Sequence, residues 1–261
     1  MDTAAILITF VAGLGMGAIN NVAGGAGIFA LWAFQYACGL PLAVANPSSR
    51  LGAIGVGLFA WLGFLRNGVR PPARVWRLAL YAIPGALVGN LLALKANDLM
   101  FRSYLAAVLL LLLAQQWRHA ANGGARPPRT SPWLGPIGCA LIGLHMGFAQ
   151  IGTGFVATLV LVTTYERDLL AVNAAKGVVV ITSSVASLIG FVLAPHVLEG
   201  QAPVLAWGPA ACLLAGTAIG SYSASKWTVA KGSASVRRVV VVIAVLSLLE
   251  QVAQIGLLLR H

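Results

Sequence analysis

Two apolar stretches in this chain, residues 4–38 and 134–163, are too long for one straight membrane helix, and glycine interrupts both. Thirty-five residues of α-helix would run roughly 50 Å, against a hydrocarbon core of about 30 Å. The first stretch carries Gly13-Leu14-Gly15-Met16-Gly17, then Asn20-Asn21-Val22-Ala23-Gly24-Gly25-Ala26-Gly27. The second carries Gly143-Leu144-His145-Met146-Gly147, then Gln150-Ile151-Gly152-Thr153-Gly154. Interrupted hydrophobic segments at matching places in two halves are the sequence mark of a transporter built from repeats, with its binding site at the breaks.

Composition places the chain in the bilayer. It is 59% hydrophobic and 9% charged, with a mean hydropathy of +0.88. No soluble globular domain has that balance. Further apolar stretches lie at 51–65, 76–94, 103–117, 177–195, 204–225 and 239–259. The division expected is an N-terminal repeat over 1–117, a polar Pro/Gly/Arg-rich cytoplasmic linker over 118–133 and a C-terminal repeat over 134–261. A secretory leader is not expected, because Asp2 is the only early charge and the apolar stretch continues into the repeat. The net charge of +11 does not imply a nucleic-acid partner. The basic residues fall in short connections between spans, as the positive-inside rule requires. Cys38, Cys139 and Cys212 have no paired spacing, so neither a disulfide framework nor a metal site is indicated.

Charge also bears on topology. If 134–163 crosses the membrane, the Lys and Arg of the connections divide 8 inside to 7 outside. If it enters and returns, they divide 12 to 3. The second arrangement obeys the charge rule. Each half is then a re-entrant hairpin plus three spans, and an odd number of crossings gives the halves opposite orientation. Charge is silent on the first hairpin, and repeat symmetry assigns it the same form, which puts both termini outside. An eight-span protein with parallel halves is the alternative.

A glycine break at membrane depth leaves backbone groups without helical partners, which is tolerated only where protein or a water-filled cavity covers them. Helix ends meeting there present N–H groups and a positive dipole end to an anion. Gly24, Gly25, Gly152 and Gly154 permit close backbone approach, while Asn20, Asn21, Gln150 and Thr153 add polar groups at the same depth. Close helix packing is the other use of such glycines.

A second cluster follows each hairpin: Asn46-Pro47-Ser48-Ser49-Arg50 in the first half and Asn173-Ala174-Ala175-Lys176 in the second. Asn46, Ser48, Ser49, Arg50, Asn173 and Lys176 are candidate anion ligands. A cation at the mouth of an apolar span is expensive unless it has a function. Arg50 suits a flat oxyanion bidentately and Lys176 acts as a point charge. Two cations from opposite repeats would converge on one anion near the midplane, or else would snorkel to an interface as anchors. His145 is a candidate for a coupled proton, with a neutral hydrogen-bonded histidine as the alternative, and Glu250 is a lesser one.

The acids are few: Asp2, Asp98, Glu166, Asp168, Glu199 and Glu250. No carboxylate pair lies within the spans, which argues against a multi-carboxylate cation pump. No His-Glu-x-x-His or metal-ligand spacing exists, and no cofactor is indicated.

The whole pattern resembles the TauE/SafE family of sulfite and organosulfonate permeases. The resemblance rests on Gly13 to Gly27, the Gly39-Leu40-Pro41 turn, Ala43 to Ser49 and Gly85-x-x-x-Gly89. Gly143 to Gly154, Asp168 to Asn173 and Gly216-x-x-x-Gly220 carry it in the second half. The glycine runs are shorter than is usual in the family, and the polar clusters are Asn-led rather than Thr-Ser-like. The expectation is thus an all-α polytopic protein of the bacterial inner (plasma) membrane. It would be a secondary transporter, not an enzyme, whose partners are membrane lipid and a small sulfur-containing anion such as sulfite, sulfoacetate or another organosulfonate. An anion channel on the same scaffold and a membrane-embedded lipid phosphatase are the competing readings.

Overall fold

A computed structural model describes residues 2–22, 25–121, 133–165, 169–197, 205–231 and 234–259. Among these residues there is helix and no strand. The first stretch is helix α1 (Thr3–Val22), then α2 (Ile28–Trp32), which continues through a π-helical turn, Ala33–Ala37. The turn closes on Gly39 at φ +65°, where the Leu40 N–H reaches back to the Phe34 carbonyl at 2.9 Å, and Pro41 prevents helix from resuming at once. Then come α3 (Leu42–Arg66), α4 (Ala73–Leu80), α5 (Ala82–Lys95) and α6 (Asp98–Ala121). Pro84, which lacks an N–H and crowds the carbonyl four residues earlier, accounts for the offset between α4 and α5 at Tyr81.

The second half repeats the order. It comprises α7 (Leu134–Phe148), α8 (Thr153–Thr164), α9 (Leu169–Val197), α10 (Trp207–Lys231) and α11 (Ala234–Leu258). Both long apolar stretches break where the glycines are. α7 and α8, with 15 and 12 residues, are each too short to cross. α1, with 20 residues, is of crossing length. Thr3–Asn21, Leu42–Arg66, Ala73–Lys95 and Leu170–Ala194 are long and apolar enough to cross a membrane among the described residues. The chain is an all-α polytopic membrane protein.

Three connections differ from their sequence outlines. Residues 226–231 continue α10, and α11 begins at Ala234, so most of the expected loop at 226–238 is helix. The apolar pattern stops at 225 because Lys226 is exposed, although the helix goes on. Arg102, which falls between the apolar stretches 76–94 and 103–117, lies in the first turns of α6 and is 7% exposed. Its Nη1 donates to Gln251 Oε1 of α11 at 3.4 Å. The linker begins later than expected, since α6 reaches Ala121, and residues 122–132 lie outside the described residues.

The halves interlock. α1 packs along α10 and α7 packs along α5. α3 packs on α10 as α9 packs on α5, while α3 crosses α9 and α6 pairs with α11. Exchanging the halves therefore carries each of these contacts onto its counterpart or itself. Glycine makes the tightest crossings. A Cβ at Gly85 would stand 2.0 Å from the Ala140 carbonyl oxygen, and one at Gly143 would stand 2.0 Å from that of Ala82. Gly13 and Gly216 do the same at the α1–α10 crossing, 2.6 Å from Leu213 O and 2.3 Å from Phe10 O. The Gly85-x-x-x-Gly89 face is thus spent inside the chain, against α7. Small residues that let helix backbones meet are the usual means of association where water cannot drive it.

Candidate functional site

The two breaks touch each other. A Cβ at Gly27 would lie 3.1 Å from Ile151 Cα and 3.7 Å from Gln150 Nε2, and one at Gly25 would collide with the edge of the Phe155 ring at Cε2. All five of these residues are buried. Gly24 lies outside the described residues. In the second break the backbone turns sharply: Gln150 takes φ 63° and Gly152 φ 83°. A non-glycine residue in that region costs of order 1–3 kcal/mol and persists only when its surroundings fix it. Here they do. Ser49 Oγ–H is shared between the Asn46 carbonyl (2.6 Å) and Gln150 Oε1. Thr153 bonds the Gln150 carbonyl through its N–H (3.1 Å) and its hydroxyl (2.6 Å).

His145 supports the same turn. Its Nε2 meets the Ile151 carbonyl at 2.7 Å and its Nδ1 meets the Tyr104 hydroxyl at 2.7 Å. A carbonyl only accepts, so Nε2 carries the proton, and in the neutral ring Nδ1 accepts from Tyr104. Both nitrogens are satisfied without charge, and the side chain is 3% exposed.

Arg50 is wholly buried in α3. Its Nη2 donates to the Gly147 carbonyl at 2.9 Å, with the Phe148 carbonyl at 3.5 Å. Its Nη1 donates to the Asn46 carbonyl, Asn46 Oδ1 and Ser49 Oγ at 2.9, 3.0 and 3.2 Å, and its Nε to Ser187 Oγ at 3.0 Å. Asn46 Nδ2 reaches the Phe148 carbonyl too, at 3.0 Å. Gly147 and Phe148 are the last residues of α7, so a cation of the first half caps the broken helix of the second. Helix C-termini present unpaired carbonyls and a negative dipole end, which such a charge complements.

Lys176 does the reciprocal thing. It is 5% exposed on α9, and its Nζ donates to the Asn20 and Asn21 carbonyls at the end of α1, at 3.2 and 3.4 Å. A third bond, 2.8 Å, goes to Asn173 Oδ1, as Arg50 has one to Asn46 Oδ1. Neither cation snorkels to an interface. Among the described residues neither has a carboxylate within ion-pair distance.

The expected convergence of the two cations is not what the helices give. Arg50 meets α9 at Ser187, whereas Lys176 lies three turns earlier, roughly 16 Å along the axis at 1.5 Å per residue. The candidates therefore form two groups. Asn46, Ser49, Arg50 and Gln150 gather at the end of α7, while Asn20, Asn21, Gly154, Asn173 and Lys176 gather at the end of α1. The second group lines a narrow cavity with room for about one water molecule, walled also by Val56, Gly57 and Ala60 of α3. Ser48 belongs to neither: its hydroxyl bonds the Val44 carbonyl at 2.7 Å and receives the Ala206 N–H at 2.9 Å.

Sequence reasoning missed several partners. Asn90 and Ser187 exchange side-chain and backbone bonds of 2.7 Å beside Arg50. Ser221 and Ser225 of α10 receive Asn21 Nδ2 at 2.8 and 2.6 Å. An asparagine within an apolar span was the available signal for Asn90; single serines on helices give none. Glu250 lies elsewhere, accepting from Trp32 Nε1 at 2.5 Å, Tyr36 OH at 2.9 Å and Gln251 Nε2 at 3.1 Å.

Comparison with known proteins agrees with this picture. The chain is similar to a "Probable membrane transporter protein" of Haemophilus influenzae, 27% identical over 241 residues, which cover 92% of this chain and 91% of that one. No solved structure matches. The family described as "Sulfite exporter TauE/SafE" matches residues 9–250, both breaks and both cations included, and this chain belongs to that family of membrane transporters.

Proposed function

We propose that the protein is a secondary transporter for a small sulfur-containing anion, sulfite or an organosulfonate, bound where the two breaks meet. The observation that carries this reading is the pair of buried cations without a carboxylate partner among the described residues. An uncompensated charge in a low-dielectric interior is costly. Carbonyl dipoles at the ends of α1 and α7 offset part of that cost, and a transported anion supplies the remaining countercharge. No intramembrane acid among the described residues lies beside either cation, so a cation substrate is disfavoured.

Alternating access is supported by the exchange of contacts between the halves. Each half grips the broken helix of the other through one cation. Rocking one half against the other would loosen one grip as it tightens the next, in the manner expected of inverted repeats. The cavity beside Lys176 is too small for an oxyanion, so entry requires its walls to part. The inner membrane of a bacterium is the proposed location.

Thermal shift of the purified protein with sulfite, sulfoacetate, taurine, sulfate and acetate tests the reading. A ligand that binds the folded state raises its apparent stability by mass action, about 2.7 kcal/mol at a hundredfold excess over Kd. Stabilisation by sulfur anions and not by acetate is the expected result. Equal effects from all five, or none, would refute it.

A further inference from the structure

Among the described residues, the lining of the cavity beside Lys176 includes side-chain acceptors without a donor. Asn21 is 1% exposed, and its Oδ1 is buried without a hydrogen-bond partner. Its amide cannot simply be turned over. Nδ2 faces the Ser221 backbone carbonyl at 2.8 Å, which only accepts, so the nitrogen must point there and the oxygen must be the orphan. Asn20 Oδ1, in the same lining, is likewise buried and unpartnered. A buried polar group left unpaired costs about 1–3 kcal/mol.

The same lining holds the cation with the weaker attachments. Two of the three Lys176 bonds are long, 3.2 and 3.4 Å, and an ammonium on a flexible stem readily redirects its donors. Arg50, by contrast, is locked by a planar fork into partners on α3, α7 and α9. A ligand in this cavity thus meets a donor that can turn toward it and, on the neighbouring helix end, oxygens that need a donor from it.

Resting on the proposed anion transport, we infer that the Lys176 pole is the anion subsite and that it selects a solute with one anionic sulfite or sulfonate group and its own hydrogen-bond donor. Hydrogen sulfite and hydroxy- or amino-alkylsulfonates have that chemistry; a plain alkylsulfonate lacks it. The sulfonate or sulfite oxygens take the Lys176 protons, and the ligand's O–H or N–H goes to Asn21 Oδ1. Sites that hydrogen-bond a substrate hydroxyl reject the analogue without it strongly, because their own polar group is then left unpaired. Arg50 is a positioning residue in this scheme: it fixes the end of α7 and does not touch the anion.

The test compares 2-hydroxyethanesulfonate with ethanesulfonate, which share a charge and differ by one hydroxyl, by calorimetric binding to the purified full chain. Sulfite is run alongside. The hydroxylated ligand should bind at least about tenfold more tightly, and Asn21→Ala should bring the two ligands to within about threefold. Lys176→Gln should remove binding of both. Equal affinities in the native protein would overturn the inference while sulfite binding keeps anion transport standing. A preference that survives intact in a folded Asn21→Ala variant would overturn it too. If sulfite and both sulfonates fail to bind the native protein, the transport reading itself falls. Should Asn21→Ala not fold, the native ligand pair still decides.

Discussion

Replacing Gly85 by alanine probes the seam that joins the halves. The added methyl would meet Ala140 O at 2.0 Å and Leu144 N at 2.9 Å, both backbone atoms that cannot rotate aside. Restoring an ordinary 3.4 Å contact requires α5 and α7 to separate by roughly 1.4 Å at that point. Alanine in a helix is worth up to about 1 kcal/mol over glycine, so the intrinsic change is favourable. Overpacking a tight contact costs about 1–3 kcal/mol, occasionally more. Because two stiff backbones collide here, the upper part of that range applies, and the net effect is a loss of about 1–2 kcal/mol. Gly208→Ala is the matched control: its Cβ would meet nothing within 4 Å, and it should be neutral or slightly stabilising. Thermal or denaturant unfolding in one detergent, comparing the two variants with the native chain, makes the measurement. A Gly85→Ala protein as stable as Gly208→Ala would refute the claim that α5 and α7 meet backbone to backbone.

Other perturbations separate the two poles. Arg50→Met leaves the Gly147 carbonyl and Ser187 Oγ without their donor; at about 1–3 kcal/mol for each orphaned group it should destabilise the fold by about 2–5 kcal/mol, read by unfolding midpoint. Lys176→Gln should unfold within about 1–2 kcal/mol of the native protein, since its carbonyl partners are held more loosely, yet lose stabilisation by sulfite in a thermal shift. Tyr104→Phe removes one bond to a neutral His145, and transport in proteoliposomes should fall less than about threefold. A far larger loss, with pH dependence altered, would instead make His145 a proton carrier. Glu250→Ala frees Trp32 and Tyr36 from α11 and should cost about 1–3 kcal/mol in unfolding, leaving sulfite affinity unchanged.

Much of the architecture is legible in the chain. The breaks fall at the glycine clusters, because only such sequence lets two helix ends meet at membrane depth without side chains between them. Arg50 and Lys176 stand out since a cation within an apolar stretch has few structural uses. What they do was not legible. Sequence places both in corresponding registers of their halves, but cannot say that each reaches across to the other half, because that depends on which helix lies beside which. The dipole argument anticipated N–H groups facing an anion. The carbonyl ends of α1 and α7, which that argument left out, meet the cations, while Gly154 at the start of α8 lines the cavity beside Lys176. Convergence failed for a similar reason: α3 and α9 cross so that Arg50 and Lys176 lie at different levels. Arg102 was hidden by an apolar pattern that begins one residue after it, although its helix starts at Asp98.

The account turns on transport rather than free flow of an anion, and counterflow decides that most directly. Purified protein is placed in liposomes preloaded with unlabelled sulfite or taurine, and entry of trace radiolabelled substrate is followed. A carrier that binds and alternates should show label accumulating transiently above equilibrium, with the overshoot lost in Lys176→Gln. Label that merely equilibrates, at a rate indifferent to the anion trapped inside, would mark a channel and contradict the account.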